Sequence, residues 1–338
     1  FNFLGIGTQT EVAQALGKGQ EKEAGRITSL ALSMGLAFAL LIIVLMLPTA
    51  RQIAALLGAE EAVLTEAVAY MRVRLLGAPA VLATLVTFGA LRGLQDMRTP
   101  LWVAVGVNAL NILLDYLFIF GFGPIPAMGV MGAALASTVA QWLGAITAVI
   151  LTHRQLTLIP NLNLAAARNL IRIGGDLFFR TGLLMLFLIV ATRVATQAGA
   201  ASGAAHTAIR QLFVFTDLFL VAFATTAQSL VGYFMGSQQV AQAKRVVSIG
   251  TAWSLVTGML LGAVMWLATD WVIGLLVPET AVSLFHTAWL ISYLMQPLNA
   301  LAFITDGVHW GTGDYRYLRN GMLAATLRGG AALWLIDP

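Results

Sequence analysis

Residues Pro100–Phe122 read PLWVAVGVNALNILLDYLFIFGF, an apolar run long enough to cross a bilayer that nonetheless carries Asn108, Asn111 and Asp115. These three are spaced i, i+3, i+7 and therefore share one narrow arc of a helix. A carboxylic acid at membrane depth costs about 2.5–3.5 kcal/mol on insertion scales unless it faces the bundle interior or a watery cavity. Two amides on the same arc offer hydrogen bonds to either protonation state of that acid. The stretch reads as a proton- or cation-binding carboxyl inside a helical membrane protein.

Composition supports a membrane setting. Of 338 residues, 59% are apolar and only 10% are charged, against about 25% charged in soluble domains, and the mean hydropathy is +0.85. The pI near 9.7 does not imply nucleic acid, because the basic residues sit in short connections between apolar runs. With no cysteine, disulfides and thiolate metal sites are excluded. The sequence begins at Phe1 and stops at Ile336-Asp337-Pro338 just after an apolar run, so it reads as a fragment.

Working outward from 100–122, apolar runs predict spans at about 27–47, 63–92, 99–122, 128–152, 168–198, 204–236, 244–267, 281–311 and 317–336. Residues 1–17 are too polar to assign from hydropathy. Lys18/Lys22/Arg26, Arg92/Arg98, Arg154/Arg168/Arg172, Lys244/Arg245 and Arg316/Arg319 fall in every second connection, which places those connections in the cytoplasm. That alternation requires residues 1–17 to belong to a span ending on the cytoplasmic side. The polar interval from His153 to Ala167 is expected to link two halves, an N-lobe of residues 1–152 and a C-lobe of 168–338.

An internal repeat relates the halves. Gln9, Gly17, Ala24 and Arg26 recur 219 residues later as Gln228, Gly236, Ala243 and Arg245, and Pro79, Gly93, Asp96 and Arg98 recur 218 later as Pro297, Gly311, Asp314 and Arg316. The matched junctions are both cytoplasmic, so the halves have parallel topology about an axis along the membrane normal. The spans at 128–152 and 168–198 have no repeat partner. The expected fold is all-α and integral to the membrane, two pseudo-symmetric parallel six-helix lobes with twelve helices when intact, the first and last missing here.

The chain resembles the MATE (multidrug and toxic compound extrusion) family, in its DinF-like branch. The resemblance rests on Gly17 and its charged turn, on Tyr70 to Arg74 with Gly77-Ala78-Pro79, and on Leu91-Arg92-Gly93 with Asp96 and Arg98. It continues through Asn108-Ala-Leu-Asn111-Ile-Leu-Leu-Asp115, Gly129 to Ser137, Asp306-Gly307 with Gly311, and Arg319-Asn320. It implies an exporter whose two lobes enclose a central cavity and which exchanges H⁺ or Na⁺ for organic, often cationic or amphipathic, compounds. It also implies cation coupling at Asp115 and Asn111, with Asn108 on the same arc and Ser137 where the family often has Thr. The position matching Val221 is Asp in many relatives, and Asp217 one turn earlier is the nearest acid here.

Each candidate also has a plainer reading. Asp115 is either a coupling site, an acid bonded to Asn111 that fixes packing, or an interfacial acid, since it lies about 24 Å along its helix from Thr99 toward the outer side. Asp306, Asp217, Arg180 and Glu11 are substrate-cavity candidates. Asp306 can equally pair with an arginine across the bundle, Asp217 with Arg210, and Arg180 and Arg193 with carboxylates or carbonyls. Asp306 and His309 at i, i+3 are two metal ligands without a third, so no metal site is expected. No hydrolase elbow, zinc-protease or nucleotide-binding motif occurs, so the chain reads as a gradient-driven transporter and not an enzyme.

The expected function is secondary antiport by alternating access, without a cofactor other than H⁺ or Na⁺ as coupling ion. The expected partners are small organic molecules and the lipid bilayer, with no nucleic acid, for a monomer in a plasma membrane, specifically a bacterial inner membrane. A flippase for lipid-linked saccharides or lipids is the alternative: Arg180, Arg193 and Arg210 permit a phosphate-bearing head group, while Asp115, Asp217 and Asp306 oppose it.

Overall fold

The computed structural model describes residues 2–160 and 163–336. Among these the regular structure is helical, in two compact units, Phe1–Ile171 and Arg172–Pro338. The first unit contains α1 (Asn2–Gly17), α2 (Glu21–Met46), α3 (Ala50–Leu56), α4 (Glu61–Leu75), α5 (Ala78–Gly93), α6 (Arg98–Phe120) and α7 (Gly129–Gln155). Helix α8 (Leu164–Gln197) opens in the first unit and runs into the second. There follow α9 (Ala200–Gly236), α10 (Val240–Leu267), α11 (Thr269–Leu276), α12 (Val282–Leu294), α13 (Gln296–Thr312) and α14 (Tyr315–Ile336). This is the all-α integral membrane fold that the hydropathy demands.

Among the described residues six helices are long and apolar enough to cross a membrane on their own, and two bent pairs qualify together, α4 with α5 at 44° and α12 with α13 at 47°. The apolar runs at 63–92 and 281–311, read as single spans, are therefore each two helices joined at a bend. Helices α1 and α14 fall outside the length and composition that identify a span, α1 with 16 residues and α14 with Arg316, Arg319 and Arg328. The polar connection between halves is also shorter than 153–167. Helix α7 continues to Gln155, and Asn163 caps α8 by accepting from the amides of Ala165 and Ala166 at 2.9 and 3.3 Å. Asn161 and Leu162 of that connection lie outside the described residues. The first turns of α8 stay with the first unit because Leu170 is buried against Leu4, Leu30 and Val86.

A bend inside an apolar span frees carbonyls that lipid cannot solvate. In the first unit α7 takes them up. Thr138 donates to the Val73 carbonyl at 3.3 Å, the Trp142 indole to Leu76 at 3.1 Å, and Arg74 bonds the Gln141 amide at 2.9 Å. Arg74 is thus a structural residue of the kink.

The sequence repeat is a structural repeat. Helices α1 to α6 correspond in order to α9 to α14, and each unit packs the first of these against the fifth through backbone contact. A Cβ on Gly93 would lie 2.7 Å from the Gln9 carbonyl oxygen, and one on Gly311 2.8 Å from that of Gln228. One turn earlier, Gly89 meets Gly5 and Gly307 meets Ala224 at 2.3 and 2.2 Å. Side chains at these points would force the helices apart, so small residues set the packing distance where lipid tails offer no hydrophobic drive.

The helix ends repeat too. Gln95 and Gly313 occupy the same left-handed position (φ 66° and 80°), as do Gly19 and Gln238 (φ 70° and 60°). All four close Schellman turns: the amide of Asp96 reaches Leu91, Asp314 reaches His309, Gln20 reaches Ala15 and Gln239 reaches Phe234, at 2.8–3.0 Å. One unit uses glycine where the other strains a glutamine. We predict that Gln95→Gly and Gln238→Gly each stabilise the protein by about 1 kcal/mol and that Gly313→Gln destabilises it similarly, read as shifts in thermal unfolding in detergent.

Asp96 then seeds α6. Its carboxylate accepts from the amides of Arg98 and Thr99, the Thr99 hydroxyl and the Gln155 amide at 2.5–3.0 Å. Partial burial pushes its pKa up, but these four hydrogen bonds outweigh that and hold it below the usual carboxylate value. A lowered folded-state pKa gives stability that is complete above the unfolded value of about 4 and is lost as pH falls through the folded value. Asp96→Asn should therefore unfold at lower temperature at neutral pH and lose part of the wild-type decline in stability between about pH 5 and 3.

Candidate functional sites in the two units

In the first unit the antiparallel helices α6 and α7 meet closely at two levels. A Cβ on Gly132 would sit 2.4 Å from the Phe118 carbonyl oxygen, and about two turns away Asn111 donates to the Ser137 hydroxyl at 3.4 Å. Asp115 lies on α6 between those levels and is half-buried. Among the described residues it has neither a hydrogen bond nor an ion pair. The structure brings Asn111 and Ser137 together but does not give Asp115 the two amides expected of its arc. Asn108 turns back to donate to the Ala104 carbonyl of its own helix at 2.8 Å, the nearest competing acceptor for a short amide on a helix. Asp115 is thus not an acid locked to Asn111.

Glu11, the fourth cavity candidate, is half-buried on α1 and accepts from Asn169 of α8 at 3.3 Å. It ties the start of α8 to the first unit.

The second unit treats its acids differently. Arg180 of α8 donates to Asp306 of α13, with side chains only 15% and 20% exposed, and its guanidinium also sits 6.0 Å from the centroid of the Trp310 ring. One turn before Arg180, Asp176 accepts from Arg319 of α14 at 2.6 Å. Asp217 of α9 accepts from Asn299 of α13 at 2.9 Å and not from Arg210, which lies exposed two turns earlier on the same helix. Arg193 is likewise exposed. His309 stacks on Tyr317 with centroids 4.3 Å apart and is no ligand partner of Asp306; no group of three or more His, Asp or Glu among the described residues is placed to hold a metal.

Sequence reasoning named both members of the Arg180–Asp306 pair and one member of each of the others, and missed Asn299, Asp176 and Trp310. The signal was present: Asn299, Asp306 and Trp310 share a stripe at i, i+7, i+11, and Asp176 and Arg180 are i, i+4.

The sequence model of the MatE family matches residues 1–117 and 177–327, a span that includes Asp115, Asp217, Asp306 and Arg180 and leaves out Ser137. The chain belongs to the MatE family, a family of transporters. Protein DETOXIFICATION 44, chloroplastic, of Arabidopsis thaliana is 30% identical over 256 residues, which cover 75% of this chain and 48% of that protein. The DNA damage-inducible protein F of Escherichia coli K12 is 29% identical over 342 residues, covering 99% of this chain and 73% of the relative. Thus the chain spans about half the length of the plant relatives it matches and about three quarters of the bacterial one. A crystal structure of MATE in complex with MaD3S superposes with a TM-score of 0.89 at 21% identity, covering 99% of this chain and 76% of the other, which shows the shared fold.

Partnered and unpartnered acids should respond differently to neutralisation. Asp306→Asn and Asp176→Asn leave an arginine without its carboxylate and are expected to cost about 1–3 kcal/mol. Asp115→Asn breaks no contact and should stay within about 0.5 kcal/mol of wild type. Denaturation of the three variants in the same detergent checks the ranking, and an equal loss in all three would remove the distinction.

Proposed function

We propose that this chain belongs to a secondary antiporter that exports organic, often cationic or amphipathic, compounds in exchange for H⁺ or Na⁺, acting as a monomer in a plasma membrane. The observation that carries this reading is Asp115, a carboxylate on a membrane-crossing helix of a transporter-family chain that is left without a partner while its neighbours Asn111 and Ser137 engage each other. An acid in that setting is functional by default. Binding of an ion at Asp115 changes the charge of α6 beside α7, and Asn111 and Ser137 can rearrange to ligate or solvate it. The energy for switching between inward- and outward-open states must come from the difference in ion affinity between them. Cargo then competes with the ion or binds the opposite state.

One observation favours the flippase reading as a second choice. Asp306 and Asp217 are engaged by Arg180 and Asn299, so they oppose an anionic head group less than their sequence suggests, while Arg193 and Arg210 stay exposed. Flux into proteoliposomes separates the two. Under an imposed pH or Na⁺ gradient, the antiporter accumulates a fluorescent organic cation and Asp115→Asn loses at least tenfold of that uptake while keeping its stability. Gradient-independent movement of a lipid-linked saccharide, with no cation uptake, would replace this reading with the flippase.

A further inference from the structure

Helices α6 and α7 touch along one side, where a Cβ on Gly144 would lie 2.3 Å from Val107 Cγ2, and stand apart on the other. The gap follows from Gly106, whose Cβ position has no neighbouring atom within 4 Å. It leaves an open slot of about 390 Å³, walled by Val103, Gly106 and Leu110 of α6 and by Leu143, Thr147 and Leu151 of α7. The Thr147 hydroxyl is spent on the Leu143 carbonyl at 2.8 Å, and that of Thr99, at the end of the slot, on Asp96. With no free hydroxyl, the walls suit hydrocarbon. The slot runs from Thr99 to Leu110, about 16 Å at 1.5 Å per residue, close to half the hydrocarbon thickness of a bilayer. Spread over that length, its volume leaves a cross-section of about 24 Å², which takes one extended hydrocarbon chain and is too narrow for a helix about 10–12 Å across.

One end of this slot is charged. Leu143, Thr147, Leu151 and Arg154 share a stripe of α7 at i, i+4, i+8, i+11, and Arg98 stands immediately before Thr99 on α6, so both walls end in an arginine. The hydrogen bond from Gln155 to Asp96 at 2.7 Å holds these two helix ends together. Arg98 and Arg154 are exposed, and neither forms a salt bridge among the described residues. Asp96 accepts from two backbone amides, Thr99 and Gln155, and from neither guanidinium. Trp102, 69% exposed, lies one turn into the slot, at the depth where indoles mark a membrane interface. The alternation of charge between connections puts this end in the cytoplasm, whose leaflet carries anionic lipid. Two unpaired guanidiniums at the mouth of a slot one chain wide complement a phosphate with an acyl chain attached.

We propose that the slot between α6 and α7 is a binding site for one anionic phospholipid of the cytoplasmic leaflet, with its phosphate between Arg98 and Arg154 and one acyl chain along Gly106. The site is separate from the coupling acid, because Gly106 and Asp115 are nine residues apart and so occupy opposite faces of α6. Native mass spectrometry of the delipidated chain in detergent, titrated with phosphatidylglycerol or with phosphatidylcholine of the same acyl chains, tests it. One phosphatidylglycerol should bind saturably, at least tenfold tighter than phosphatidylcholine. Arg98→Gln/Arg154→Gln should bring the two lipids to the same affinity. Gly106→Leu, whose Cβ meets no neighbour and whose branch enters the slot, should weaken both at least tenfold. Glycerol phosphate, a head group without chains, should not displace the lipid at a hundredfold excess. Equal affinity for the two lipids in the wild type, displacement by glycerol phosphate, or a Gly106→Leu form that binds like the wild type would overturn the proposal. A second measurement leaves both arginines and Gly106 in place. Phosphatidylglycerol with brominated chains, added at one per protein, should quench a component of the tryptophan fluorescence that the Trp102→Phe form lacks. Quenching of the same size in Trp102→Phe would contradict the site.

Discussion

Hydrocarbon offers no hydrogen bonds, and this constraint governs how the chain spends its polar groups. Each bend needs a neighbour to receive its carbonyls, and in the first unit Thr138 and Trp142 of α7 do so for the bend between α4 and α5. Each interior carboxylate of the second unit has a donor: Arg319 for Asp176, Asn299 for Asp217, Arg180 for Asp306. Against that pattern Asp115 stands out by what it lacks. A carboxylate without a partner on an apolar, membrane-crossing helix fits the proposal that an exchangeable ion is its missing partner.

The repeat explains how one chain carries both solutions. Two copies of a six-helix plan share their backbone contacts, Gly93 on Gln9 and Gly311 on Gln228, and their left-handed helix ends. The polar side chains hung on that common frame differ. Position 115 of the first unit matches Leu333 in the second, and Asp306 matches Phe88. Divergence on a conserved frame gives one unit an open acid and the other a closed ion pair.

Much of the frame was legible in the sequence, for physical reasons. Hydropathy and the charge of alternate connections follow directly from insertion into a bilayer, and they located the long helices. The common offset of Gly17, Gly93 and Asp96 with their partners revealed the repeat, because turns and close helix contacts tolerate few residues. The bends were less visible: Pro79 and Pro297 sit at the starts of α5 and α13, where proline suits a first turn, and hydropathy runs unbroken across both bends. The site was legible only in part. Helical spacing put Asn108, Asn111 and Asp115 on one arc, but the choice of each amide was decided by acceptors on its own helix and on α7. The partners of Asp217 and Asp306 lie 82 and 126 residues away in sequence, and no local pattern selects them.

The central claim is that Asp115 holds an ion which cargo binding expels. Purified protein in weakly buffered detergent solution allows that exchange to be followed directly, with a pH indicator and a Na⁺-selective electrode recording what is released when an organic cation is added. The account predicts release of about one H⁺ or one Na⁺ for each cargo molecule bound, and none from the Asp115→Asn form. Equal release from both forms, or cargo binding with no release from the wild type, would contradict it.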